Sequence, residues 1–122
     1  MDVNKLILDT DKIQLNKKYV FASMMATSIT DTLPEAAMKR WNKHLKSESD
    51  KKGLKIHLHA GSYLCLISSR AFGYNSTPDC FARMLSEQKN RQKNVLNIEK
   101  TLNDFSEVCI SAKQYAKQLL AE

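Results

Sequence analysis

Residues 95–119, VLNIEKTLNDFSEVCISAKQYAKQL, place Val95, Ile98, Leu102, Phe105, Cys109, Ala112, Ala116 and Leu119 at intervals of 3, 4, 3, 4, 3, 4 and 3. That is the spacing of a heptad seam, and at 1.5 Å per residue it predicts a helix about 36 Å long. Such a helix is longer than a 122-residue domain usually needs internally. The seam Val95, Ile98, Leu102, Phe105 and Cys109 is therefore expected to meet a partner helix or a second copy of the chain as a homodimer. Val108, Ile110, Tyr115 and Leu120 widen the apolar surface toward the C-terminus, so that end packs on the domain or on another copy.

Working back from this helix, Ser86 to Asn94 is entirely polar and reads as a solvated helical bridge or a linker. Breakers are scarce: three Gly and two Pro divide the chain into long helix-permitting stretches. Thr77-Pro78-Asp79 starts one of them, with Pro in the first turn and Asp complementing the helix dipole, and it would bury Phe81, Met84 and Leu85. Before it, Gly61-Ser62 supplies a turn and N-cap for a helix over Tyr63 to Phe72, which Gly73 stops as a left-handed residue. Lys55 to His59 alternates polar and apolar, as a short strand or an extended entry segment.

Ser47 to Gly53 reads as a charged loop closing an amphipathic helix that begins at Thr32-Leu33-Pro34-Glu35, a capping box. In that helix Leu33, Ala37, Met38, Trp41 and Leu45 share one face, and Lys39, Arg40, Lys43 and Lys46 the other. Residues 1–31 carry the weakest pattern. Leu6 to Leu8 and Lys12 to Leu15 fit short strands, while Val20, Phe21, Met24 and Met25 fit a helix over 17–29. The expected fold class is all-α, four to five helices in one domain spanning 1–122. It comprises an undetermined region 1–31, a helical core 32–85 and the long C-terminal helix within 86–122. Its core is expected to contain Trp41, Leu45, Leu64, Ile67, Phe72, Phe81 and Leu85.

No apolar run approaches the ~20 residues of a membrane span, and the N-terminal Leu6-Ile7-Leu8 lies between acids, unlike a secretory leader. The expected location is the cytoplasm. Cys65, Cys80 and Cys109 are odd in number and 15 and 29 residues apart, which suits neither a disulfide framework nor zinc knuckles. They are expected to be reduced packing residues, dispensable for chemistry. His57 and His59 would share one side of a strand and could hold a metal ion together, but no third ligand is near in sequence. A glycine-rich phosphate loop is absent, and the acids near helix starts and loops read as caps and solvators. The chain is expected not to be an enzyme and to carry no cofactor or metal.

Charge is more informative. Lys and Arg total 19 against 13 Asp and Glu, a formal net charge of +6, which favours polyanionic or acidic partners. Ser62 to Leu85 has the outline of a helix-turn-helix or of a plain helical hairpin. Ser69 to Ser76 with Phe81-Ala82-Arg83 resembles the second helix-turn-helix of AraC-type regulators, which implies DNA binding. From about Leu33 to Phe81, the capped helix, the Lys-Gly-Leu-Lys-Ile stretch at 52–56, the apolar segment and the Gly73-Tyr74 turn are similar to small bacterial mobile-element proteins labelled glyoxalase-related. That resemblance implies a mobile-element origin and no metal-ligand set.

Two functions follow as expectations. The first is a small nucleic-acid-binding regulator, with Lys39, Arg40, Lys43, Arg70, Arg83, Lys89 and Arg91 on phosphates and Tyr74 and Asn75 nearest the bases. The second is a non-catalytic inhibitor of a larger host assembly, an acidic protein or nucleoprotein, as anti-defence proteins of the anti-CRISPR kind are.

Overall fold

A computed structural model of the chain describes residues 9–25, 32–58, 64–69, 74–75 and 95–122. Among these residues lie three helices, α1 (Asp9–Met25), α2 (Glu35–Lys51) and α3 (Val95–Ala121). Between α2 and α3 come strands β1 (Leu54–Leu58), β2 (Leu64–Ser69) and the two-residue β3 (Tyr74–Asn75). β1 and β2 pair antiparallel, and β3 extends the pair in the order β1-β2-β3. The all-α class with four to five helices is thus corrected to a mainly helical protein with a small antiparallel sheet.

The correction turns on β2. Leu64, Cys65, Leu66 and Ile67 form an unbroken apolar run, and such a run suits a strand covered on both faces as well as it suits a buried helix. Leu64, Cys65 and Leu66 are all buried, and successive strand side chains point to opposite faces, so both faces of β2 are covered there. The alternating stretch before it becomes β1, pairing Leu54 with Ser69 and Leu58 with Leu64. A helix-turn-helix over Ser62 to Leu85 does not stand, because Leu64 to Ser69 of its expected first helix form β2. Phe72, Gly73, Phe81 and Leu85 lie outside the described residues, and Ile67 is only partly buried.

The β1–β2 register slips between Lys55 and Ile56, which face Ser68 and Leu66 respectively, so Ile67 is skipped. Beside this irregularity the Leu66 N–H donates to the Tyr19 hydroxyl at 3.0 Å, which satisfies a buried amide. Tyr19 also stacks on Phe105, with ring centroids 4.9 Å apart. One α1 side chain therefore ties β2 to α3. The far end of β2 is tied to α3 by Ser69 Oγ and Thr101 Oγ1, both buried and 3.0 Å apart.

α1 spans 9–25, whereas the sequence reading places a helix over 17–29. Leu15, Tyr19, Ala22 and Ser23 face the core, while Ile13, Val20, Phe21 and Met24 lie exposed on the other side. Apolar residues on two sides cancel the amphipathic signal, which is why this helix reads poorly.

α2 starts behind Pro34, which occupies the N-cap position that the sequence reading gives to Thr32. The helix also runs past Ser47 to Lys51. Ser49 Oγ donates to Leu45 O at 2.7 Å and Lys46 pairs with Asp50 one turn on, so these polar residues are accommodated within the helix. Gly53, with φ of 70°, turns the chain into β1. Trp41 is fully buried and its indole N–H donates to Ala112 O at 2.8 Å, anchoring α2 on α3.

α3 supplies the centre of the core. Ile98, Leu102, Phe105, Cys109, Ala112, Ala116 and Leu119 are all buried within the chain, together with Trp41, Leu45, Leu54 and Leu64. Ile98, Leu102, Phe105 and Cys109, which the sequence reading expects to meet a partner helix or a second copy, are covered within the chain, where α3 packs on α1, α2 and β2. Val95 begins the helix.

Candidate functional site

The described residues hold no group of three or more His, Cys, Asp and Glu arranged to bind a metal ion. His57 is exposed on β1 and His59 lies outside the described residues. Cys65 and Cys109 are buried cysteines with 0% exposure, and Cys80 lies outside the described residues. Burial pushes the Cys109 thiol up to about 12, so it stays protonated and unreactive at neutral pH.

A pH dependence follows. The unfolded thiol ionises near its ordinary value of 9.0 while the native one holds its proton to about 12. Between those limits the native state binds more proton, and stability should fall by up to about 1.4 kcal/mol per pH unit, with no contribution from this group below pH 9. Urea titrations from pH 8 to 11 measure the slope. Cys109→Ala should flatten it, and an unchanged slope would show that Cys109 does not sense folding.

The structure places three of the expected phosphate contacts on one helix. Lys39, Arg40 and Lys43 are exposed on α2. Arg40 pairs with Glu122 at 3.0 Å, and that carboxylate holds the guanidinium above its usual range. Lys46 pairs with Asp50 and Lys51 with Glu48, and Lys52 just past the helix pairs with Glu107, which likewise raises its pKa. Lys39 and Lys43 are the α2 cations without an ion pair among the described residues. Exposed pairs contribute at most about 1 kcal/mol, so they dilute this basic face without removing it. Tyr74 and Asn75 form β3 opposite Ser69 and Ser68. Arg70, Arg83, Lys89 and Arg91 lie outside the described residues, so the structure does not bring the full expected set together.

Among the described residues, most of the exposed large apolar side chains lie on the outer face of α1. Ile13, Val20, Phe21 and Met24 are 55%, 44%, 72% and 59% exposed. Asn16, Lys17, Val20, Phe21 and Met24 line a shallow open depression on this face, and Lys18 is exposed next to Lys17. Sequence reasoning singled out Val20, Phe21 and Met24 only as helix formers. The available signal was an excess of apolar residues over what one helix face can bury.

A second concavity lies between α2 and β1, a cleft of about 600 Å³ lined by Asn42, Leu45, Lys46, Ser49 and Asp50 of the helix and by every residue of the strand. Sequence reading missed it, since it exists only where α2 and β1 meet. Compared with protein-family models, curated proteins and solved structures, the chain matches none.

Proposed function

We propose that this chain is a non-catalytic binding protein that docks on an acidic surface of a larger protein assembly through the outer face of α1, in the manner of an inhibitor or adaptor. The observation that carries the reading is the exposure of Phe21 at 72% amid Ile13, Val20 and Met24. A contiguous apolar patch with an aromatic centre is what protein interfaces use as an anchor. Lys17 and Lys18 at its border, and the net charge of +6, favour carboxylates around the partner's receiving surface. No helix of the described residues is long and apolar enough to cross a membrane.

The test is affinity capture with tagged chain, with and without nuclease, repeated with Phe21→Asp. Because Phe21 is exposed, the substitution should leave the melting temperature nearly unchanged while lowering partner affinity by about 100-fold, the range of an interface hot spot. Capture that disappears with nuclease, or that survives Phe21→Asp intact, would overturn the reading. Gel shifts decide the nucleic-acid alternative. A complex at 50 mM salt that loses of order 10³-fold in affinity by 200 mM, and that Lys39→Glu with Lys43→Glu weakens for every sequence, would put phosphate binding in its place.

A further inference from the structure

The cleft between α2 and β1 combines two features that belong to peptide-binding grooves. β1 stands at the end of the strand order and pairs only with β2 among the described residues. Among the described residues its other edge has no strand partner and borders the cleft, where an edge offers backbone N–H and C=O groups. All five residues of β1 line the cleft, the inward Leu54, Ile56 and Leu58 together with the exposed Lys55 and His57. Side chains of a strand alternate between faces, so a hollow touched by both sets runs along the strand's edge and not over one face. The opposite wall is one side of α2, from Asn42 to Asp50.

We propose that this groove binds an extended acidic peptide segment of a partner protein, added to the sheet as a strand beside β1. Five residues of strand offer about 16 Å of edge, enough for a peptide of similar length held by backbone hydrogen bonds. The alternation of β1 sets the peptide's pattern. Its inward residues meet Leu45, Leu54 and Ile56 and are apolar. Its outward residues lie beside Lys55 and His57 and are carboxylates. A second copy of the chain fits less well: antiparallel pairing centred on Ile56 would set Lys55 against His57 of the other copy, and β1 carries no carboxylate to meet Lys55. Lys55 thus favours an acidic strand over a second copy.

The probe is a fluorophore-labelled Val-Glu-Val-Glu-Val peptide, blocked at both ends, titrated with the full chain by fluorescence anisotropy. Saturable binding is expected, with Val-Lys-Val-Lys-Val weaker by about tenfold or more. N-methylating the two Glu amides and, separately, the Val amides should give one peptide that no longer binds and one that does, because only alternate amides face β1. Lys55→Glu, an exposed change, should reverse the preference between the two peptides, while Phe21→Asp should leave it unchanged, which separates this site from the α1 surface. The proposal is overturned if the acidic peptide does not saturate, if the two N-methylated peptides bind alike, or if wild-type chain sediments as a dimer at the concentrations of the titration and the peptide does not dissociate it. Protection of every β1 amide from hydrogen exchange in the free protein would also overturn it, since the edge would then be filled by the chain itself.

Discussion

Phe105→Asp should abolish the cooperative thermal transition instead of converting a dimer into folded monomers. Phe105 is 0% exposed and stacks on Tyr19. Losing a buried Phe side chain costs about 3–5 kcal/mol, and a carboxylate left in the same place adds the cost of desolvating an unpaired charge. Together these consume most of the ~5–15 kcal/mol by which a domain is stable. Ile110→Asp and Leu120→Asp on the same helix are the controls: at 42% and 45% exposure they should cost little. Circular dichroism melts and light scattering read the result. A folded Phe105→Asp protein of half the wild-type mass would mean that this side chain lies between two copies, contrary to its burial inside one.

Trp41→Ala should be the next most damaging change, lowering stability by about 3–5 kcal/mol. Trp41 is 0% exposed and joins α2 to α3 through both its ring and its hydrogen bond to Ala112 O. Trp41→Phe separates the two contributions. It retains an aromatic ring and loses the N–H, and the Ala112 carbonyl keeps its place in the helix ladder, so the hydrogen-bond part should be about 0.5–1.5 kcal/mol on top of the smaller volume lost. Urea midpoints should therefore fall in the order wild type, Trp41→Phe, Trp41→Ala. Equal losses for the two variants would show that the indole hydrogen bond, and not the packing, holds the helices together.

These two side chains also mark what is legible without a structure. The seam through Ile98, Phe105 and Cys109 and the face through Trp41 and Leu45 are visible as periodicity, because each belongs to one helix with one apolar side. The same argument fails for α1, whose Leu15 and Tyr19 on one side and Val20 and Phe21 on the other leave no preferred direction. It fails again at Leu64 to Leu66, where a strand covered on both faces and a buried helix share one pattern. The candidate site divides in the same way. That Lys39, Arg40 and Lys43 share a helical face follows from spacing, whereas the pairing of Arg40 with Glu122, 82 residues away, does not.

By itself the sequence determined the two helices α2 and α3, their apolar stripes, the basic face of α2 and the extended character of the stretch that becomes β1. Only the tertiary structure decided that the α3 stripe is filled by the chain's own Trp41, Leu45, Leu64 and Tyr19, that the apolar run after β1 is a strand, and that Ile13, Val20, Phe21 and Met24 of α1 are exposed while β1 pairs only with β2 among the described residues. The physical reason is that periodicity is a local property recording which side of an element is apolar. What covers that side depends on residues far away in the chain, brought there by packing.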